Sequence, residues 1–179
     1  VLVEVEEGSA IIEALHRAGF STYTRQQIWR LKVVRHSRNA PPTWVPVQAS
    51  AVGDVYSLYQ RLVPREVKKV EAPPTVADLQ GLMFCQDGEM RGYCSAQFGP
   101  RGVLLDIWLD RGLHSPRDHL RAIQETIPNH HKKKVYGRVR AYQEELQQAA
   151  EIMDAYPGPQ QQVMVKRLAA HYKAREAFQ

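Results

Sequence analysis

Two stretches of the chain, residues 18–31 and 155–168, follow one pattern, and this repeat constrains the fold more than any other feature. Each stretch follows a segment whose apolar residues recur at helical spacing, and each ends in apolar residues before an Arg-Leu pair. A strand-like segment, residues 1–5 or 134–139, precedes each helix. The sequence therefore predicts a strand–helix–strand module that occurs twice. Chance similarity between two amphipathic units is the alternative, and the shared order of elements argues against it.

The first module is too small to fold alone. Residues 1–31 cannot bury the faces of their own strands and helix, so they need a sheet to join, either in this chain or in a partner. A basic segment that reaches a pair of prolines follows, and we interpret residues 33–43 as a linker. The sequence therefore predicts a closing segment of a first unit in residues 1–32, the linker, and a second, nearly complete unit in residues 44–179.

The second unit has a mixed order of strands and helices. Between residues 44 and 168 the pattern indicates a short strand, two helical pieces, a hairpin, a long apolar strand, a helix, a strand, a helix and a closing strand after a turn at residues 157–159. We expect the helix that starts at Asp54 to bury one face, formed by Val55, Tyr56, Tyr59 and Leu62. Its two tyrosines are interpreted as core residues and not as a platform on which bases stack.

The dipeptide Asp87-Gly88 lies between two apolar runs and predicts a two-residue hairpin turn. This hairpin pairs Cys85 with Met90 and places Cys94 roughly 13 Å away, whereas the Cα atoms of a disulfide lie within about 7 Å. Two free thiols fit a cytoplasmic protein. The chain starts without a signal pattern, which we interpret as a cut or processed edge, and it lacks the roughly 18 apolar residues of a membrane span. We therefore expect a cytoplasmic location and no membrane partner.

The charge is mildly basic, with a net charge of +5 and a pI near 9.3. Such a balance is more typical of a solvated surface than of a nucleic-acid interface, so we do not expect a nucleic-acid partner. The segment 129–134, Asn-His-His-Lys-Lys-Lys, could bind a metal ion or a phosphate. Adjacent histidines on a loop rarely converge on one ion, and no Cys or carboxylate has ligand spacing to them. We interpret the segment as a solvated loop and predict no metal site.

The repeated module resembles the C-terminal half of the GCN5-related N-acetyltransferase (GNAT) fold. Residues 8–20 are similar to the family segment that ends in Gly-Phe, and residues 25–31 to its closing strand. Residues 44–170 follow the family's order of elements, and residues 135–143 and 163–168 resemble a divergent bacterial branch that carries such units in tandem. The resemblance implies an α+β fold, with a central, mostly antiparallel twisted sheet flanked by helices. It also implies acetyl-CoA as cosubstrate and a small-molecule or peptide amine as acceptor.

The family holds the pyrophosphate of its cofactor on backbone N–H groups between the long central strand and the next helix, where the helix dipole and glycines favour an anion. The corresponding stretch here keeps one glycine, and Pro116 removes an N–H donor. The resemblance implies a cofactor site at Leu109, Arg111, Gly112, Leu113, His114, Ser115 and Arg117. In it, the charges of Arg111, His114 and Arg117 would replace backbone donors. An ordinary capped helix with a basic first turn is the alternative.

No catalytic residue is predicted. The position of the family's acidic tyrosine falls on Leu15 in the first module and near Ile152 in the second, and neither side chain can protonate a thiolate. Other candidates have a simpler interpretation as packing, turn or surface residues, namely Tyr136, Tyr142, Glu89, Asp106 and Asp110. Two hypotheses remain: an N-acetyltransferase with unknown acceptor, or a non-catalytic GNAT-like module that packs against the other unit or a second copy of the chain.

Overall fold

The computed structural model describes residues 1–32, 42–128 and 132–167. Eight strands form one sheet: Leu2–Glu6 (β1), Ser21–Leu31 (β2), Val45–Pro46 (β3), Leu82–Gln86 (β4), Glu89–Gly99 (β5), Gly102–Leu109 (β6), Val135–Arg140 (β7) and Tyr156–Val165 (β8). Five helices accompany it: Ile11–Arg17 (α1), Val52–Leu62 (α2), Arg65–Lys68 (α3), Pro116–Thr126 (α4) and Glu144–Ile152 (α5). The expected mixed fold with a mostly antiparallel sheet is confirmed.

The strand order is β1-β8-β2-β7-β6-β5-β4-β3, and the two strand–helix–strand modules interlock within it. β2 closes the first module and lies between β7 and β8, while β8 closes the second module and lies between β2 and β1. All three contacts are antiparallel, so the two strands of each module run parallel to each other on either side of a strand from the other module. Residues 1–31 therefore join a sheet inside this chain.

The larger core lies on the face of the sheet that α4 and α5 cover. Leu120 and Ile123 of α4 and Leu146 of α5 pack there with alternate residues of β6, namely Val103, Leu105 and Ile107. The first module contributes Trp29 and Leu31 of β2 to the same cluster. A strand with alternating buried residues presents every second side chain to one face, which explains this selection.

The opposite face is covered by α2 and α3. Val55 and Leu58 of α2 pack with Met90 and Tyr93 of β5, and Trp108 of β6 lies against this cluster. Tyr56 is half exposed and Leu58 is buried, so the predicted helix face was wrong at that position. Residues at i, i+3 and i+4 share a face of a helix, whereas Tyr56 follows Val55 directly and points about 100° away.

Several predicted boundaries also change. The short strand expected at the start of the second unit is only Val45–Pro46, and α2, expected from Asp54, begins at Val52 after a short 3-10 helix, Ala49–Ala51. Residues 157–159 belong to β8 and not to a turn before it. Pro157 and Pro159 are both exposed. The predicted end of the closing strand at Leu168 lies outside the described residues, as do most of the linker and residues 129–131 of the basic loop.

The hairpin prediction is confirmed. Asp87 and Gly88 have φ angles of 54° and 80°, as a type I′ turn requires. Cys85 pairs with Met90 across the turn, and both Cys85 and Cys94 are free. Within the described parts of the chain, no helix combines the length and apolar character that crossing a bilayer requires.

Leu31→Ala tests how strongly the first module stabilises the rest of the chain. Leu31 is buried in the larger core beside Gly137 of β7, so we expect the free energy of unfolding to fall by about 2–5 kcal/mol. Ile11→Ala is the matched control, because Ile11 is 54% exposed and its loss changes stability by about 0.5 kcal/mol at most. Urea unfolding followed by tryptophan fluorescence measures both. Equal effects of the two substitutions would contradict this account of the core.

Candidate functional site

The one parallel pair in the described sheet, β6 and β7, separates at its carboxyl end. The pairing runs from Val103 with Val135 to Asp106 with Arg138 and then stops, while β6 continues to Leu109 and β7 to Arg140. A gap opens between the two strands, and it exposes backbone groups that a continuous ladder would pair.

The side chain of Gln143 fills this gap. Its Nε2 donates to the carbonyl oxygen of Ile107 on β6 at 2.6 Å, and its Oε1 accepts from the N–H of Arg140 on β7 at 2.9 Å. The primary amide therefore takes the place of a peptide group between the strands. We call this arrangement the Gln143 bridge.

Two cavities meet at the bridge. The end cavity, of about 290 Å³, lies beyond the carboxyl ends of β6 and β7, between the first residues of α4 and α5; it is lined by Leu62, Leu109, Arg111, Pro116 and residues 142–146. The face cavity, of about 580 Å³, lies between the sheet and the segment 71–80 that follows α3, with lining from α2, β5, β6 and β7. Tyr142 and Gln143 line both cavities, so these two residues form the wall that the cavities share.

Glu71 joins three parts of the fold beside the face cavity. The carboxylate accepts a hydrogen bond from the hydroxyl of Tyr23 on β2 and lies 2.8 Å from the guanidinium of Arg140 on β7. The hydroxyl of Tyr59 on α2 donates to the backbone carbonyl of Glu71. Burial and the hydrogen bond to Glu71 raise the pKa of Tyr23 well above its usual range, so this hydroxyl remains a donor. The first module thus holds Glu71, a residue of the cavity wall, in place.

Asp106 forms the last parallel pair with Arg138, where β6 and β7 separate. It lies on the face-cavity side of β6, and its Oδ2 is 3.3 Å from Arg138 on β7. Arg138 also reaches Glu4 on β1 at 3.8 Å. Burial raises the pKa of Asp106, and the charges of Arg138 and Arg140 act against that rise. A surface or turn position, which the sequence suggested for this residue, was wrong.

Tyr142 is the hydroxyl-bearing residue of the shared wall. Burial raises its pKa to about 12, and Glu71 adds to the rise while Arg140 opposes it. The phenol therefore stays protonated at neutral pH and can donate a proton to a stronger base. Glu89 and Asp110 lie elsewhere: Glu89 is exposed beside the hairpin turn, and Asp110 is held between Arg61 at 3.1 Å and Arg91 at 3.2 Å.

The predicted cofactor residues surround the turn between β6 and α4 but do not all face one cavity. Leu109 and Arg111 line the end cavity, while Gly112, Leu113, Ser115 and Arg117 line a shallow neighbouring cavity of about 340 Å³ between α4 and α5. His114 is exposed and lines neither of these. Gly112 and Ser115 have positive φ angles of 77° and 53°, so the chain turns sharply before the helix.

Some of the backbone donors of this turn are used within it. The N–H of Arg111 bonds to the carboxylate of Asp110 at 3.0 Å, and that of Asp118 to the carbonyl of Ser115 at 2.8 Å. The hydroxyl of Ser115 donates to the carboxylate of Asp118, which places an acidic group in the first turn of α4. A carboxylate there takes the position that the helix dipole favours for an anion. The side chains of Arg111 and Arg117 add positive charge at this end.

Sequence reasoning missed Gln143, Glu71 and Tyr23. Gln143 precedes a helix, where a polar residue is ordinarily solvated, and Glu71 lies in a charged segment before two prolines. One usable signal was present: a tyrosine and a glutamine, Tyr142 and Gln143, follow the strand that pairs with the long apolar strand, after Ala141. Among the residues that the structure describes, no group of three or more His, Cys, Asp or Glu is placed to hold a metal ion.

Comparison with solved structures identifies the fold. A GCN5-related N-acetyltransferase from Sphaerobacter thermophilus superposes with a TM-score of 0.54 at 11% identity, over 92% of this chain and 59% of that one. A GNAT-family acetyltransferase from Colwellia psychrerythraea gives 0.56 at 6% identity, over 91% and 63%. The chain has the GNAT fold. A GNAT-family protein from Novosphingobium aromaticivorans gives 0.58 at 12% identity, over 84% and 69%.

The chain spans less than two thirds of the length of the first two of these GNAT structures. No family model matches the sequence, and no curated protein matches it either. At 6–12% identity the likeness concerns the fold, and the activity of those proteins does not transfer with it.

Tyr23→Phe tests the link between the first module and the face cavity. The substitution removes a hydrogen bond to a charged carboxylate, so we expect the free energy of unfolding to fall by about 1–2 kcal/mol, since the site is only partly buried. Tyr56→Phe is the matched control, because Tyr56 is half exposed.

A double-mutant cycle with Glu71→Gln, measured by urea unfolding, isolates the pair. We expect a coupling of at least about 0.5 kcal/mol. A coupling indistinguishable from zero would show that Tyr23 and Glu71 act independently, against the contact described above.

Proposed function

We propose that this GNAT-fold chain transfers an acetyl group from acetyl-CoA to an amine. The observation that carries the proposal is the meeting of two cavities at the point where β6 and β7 separate. A group-transfer enzyme needs two binding spaces that open on a common point, one for the donor and one for the acceptor. We assign the end cavity to the donor and the face cavity to the acceptor.

The residues of the site fit acetyl-CoA in part. The arm of this molecule contains amide groups, and the gap between β6 and β7 already holds an amide, that of Gln143. The turn before α4 uses the N–H groups of Arg111 and Asp118 within itself, and the carboxylate of Asp118 lies in the first turn of the helix. We therefore propose that Arg111 and Arg117 attract the phosphates by side-chain charge.

The chain's own residues supply a base and a hydrogen-bond donor in this proposal. Bound acetyl-CoA supplies an activated acetyl thioester. Asp106 accepts the proton of the amine, directly or through a water, because its raised pKa makes it a better base than an ordinary aspartate. Tyr142 stabilises the departing thiolate by donating a hydrogen bond to it, because its hydroxyl stays protonated beside the shared wall. The thiolate takes its proton from water, to which Asp106 returns the proton of the amine. Arg138 holds the Asp106 carboxylate in place.

A second candidate is a GNAT-like module without catalysis. The observation that favours it is the acidic, internally bonded first turn of α4, where Asp118 takes the anion position. In this reading the chain completes or stabilises another unit. We propose in both cases that residues 1–32 are the closing segment of a preceding GNAT-like unit in a tandem protein, with residues 44–179 as the second unit. The repeated order of strand, helix and strand supports that division, whereas the interlocked strands join both segments in one sheet.

The other partners and the location follow from the same proposal. A GNAT-like unit or a second copy of the chain would cover the edge strand β1, and the two free cysteines fit a cytoplasmic protein. The acceptor is a small-molecule or peptide amine that the face cavity can hold.

Calorimetric titration with acetyl-CoA decides between the two candidates. We expect binding that Arg111→Ala and Arg117→Ala each weaken by about tenfold, the loss of one charge-assisted contact. Arg101→Ala is the control, because Arg101 is exposed at the opposite end of β6. No heat of binding at millimolar acetyl-CoA would reject catalysis and leave the non-catalytic module.

The rate of thiol release from acetyl-CoA, with a panel of primary amines as acceptors, tests the hydrogen-bond donor and the base. We expect Tyr142→Phe and Asp106→Asn to lower kcat by about 100-fold or more. The wild-type rate should rise with pH as Asp106 loses its proton, above the usual aspartate value near 3.9 because burial raises that pKa. Asp106→Asn should abolish this rise. A profile unchanged in the Asn variant would remove Asp106 from the mechanism, and Tyr56→Phe should leave the rate unchanged.

A further inference from the structure

Gln143 has an unusual position for the residue before a helix. It is the N-cap of α5, and its carbonyl accepts the first helical hydrogen bonds from Leu146 and Gln147. Its side chain makes no capping bond to the helix, although N-cap side chains ordinarily bond to the first turn. The amide points back to the sheet instead, where it bonds to Ile107 and Arg140.

The bridge satisfies two backbone groups that would otherwise be unpaired. Ile107 is 1% exposed, so its carbonyl has little access to water. The N–H of Arg140 lies at the end of β7, past the last residue that pairs with β6. An unpaired buried backbone group is costly, so the amide stays in place unless another group with one donor and one acceptor replaces it.

We propose that Gln143 is a gate between the two cavities and selects what may pass between them. With the amide in place, the shared wall is closed at the bridge. A ligand reaches from the end cavity to the face cavity only when the Gln143 side chain swings out. The ligand keeps both backbone groups paired only if it presents an N–H to Ile107 and a C=O to Arg140. This inference rests on the proposed function, since it describes how the acetyl donor gains access to the amine.

The movement that the gate requires is a rotation of the Gln143 side chain alone. Gln143 lies at the junction of β7 and α5 and is only partly buried, and its backbone is fixed by its own N–H bond to the carbonyl of Arg140 at 2.9 Å. The side chain can therefore change rotamer without moving the strand or the helix. Such rotations are fast compared with movements of whole elements.

Two variants and one matched control test the gate in the full chain. Gln143→Ala removes the bridging amide. Gln143→Glu keeps an acceptor for Arg140 but turns a carboxylate oxygen toward the carbonyl of Ile107, which repels it. Gln147→Ala is the control, because Gln147 lies one turn further on α5, is exposed and bonds only to Glu151 at 3.1 Å among the described residues.

The first measurement needs no ligand. Amide hydrogen exchange of Arg140, followed by NMR, should be at least about tenfold faster in Gln143→Ala than in the wild type and in Gln147→Ala, because the acceptor of this N–H is lost. Unchanged exchange at Arg140 would overturn the gate.

The second measurement is calorimetric titration with acetyl-CoA. We expect Gln143→Ala to bind about tenfold more tightly than the wild type, because the ligand no longer displaces two hydrogen bonds, and Gln143→Glu to show a smaller gain, because the ligand still displaces the bond to Arg140. Binding by Gln143→Ala alone, without binding by the wild type, would also support the gate. Equal affinity in wild type and variants would overturn the gate and leave the proposed function intact. No binding by any of the proteins would overturn both.

Discussion

The antiparallel pairing of β2 with β8 is the contact on which the rest of the molecule depends. Each of these strands belongs to one module and lies between the two strands of the other, so neither module has a complete sheet by itself. The arrangement turns two units that are too small to bury their faces into one continuous sheet. It also places Trp29 and Leu31 of the first module in the core that α4 and α5 cover.

The same pairing brings charged groups to the face cavity. β2 borders β7, so Tyr23 on β2 bonds to the carboxylate of Glu71, which also pairs with Arg140 on β7. Glu4 lies on the edge strand β1, and its carboxylate is 3.8 Å from the guanidinium of Arg138 on β7. Arg138, which orients Asp106, is in turn paired with Glu4 of the first module. A loosening of β2 would therefore change the electrostatics of the cavity as well as the stability of the sheet. Structure and site are coupled through these ion pairs.

The sequence was sufficient for the elements and for the fold class, because strands and helices are encoded in local periodicity. The repeat at residues 18–31 and 155–168 indicated two modules, and the hairpin at Asp87-Gly88 was read from its turn residues. The insertion of β2 between β7 and β8 was not predictable, since nothing local distinguishes one antiparallel neighbour from another. The site was largely missed for the same reason: Glu71 and Gln143 acquire their roles only from residues that are distant in sequence.

The interlocked sheet also sets an order of events during synthesis. β1 and β2 are made before β7 and β8, but β2 needs both of these strands as neighbours, and β1 pairs with β8 from Leu2 with Val165 onward. The first module must therefore remain without its sheet until nearly all of residues 1–165 have left the ribosome. Contacts between such distant segments form slowly, and unpaired strand edges attract other chains while they wait.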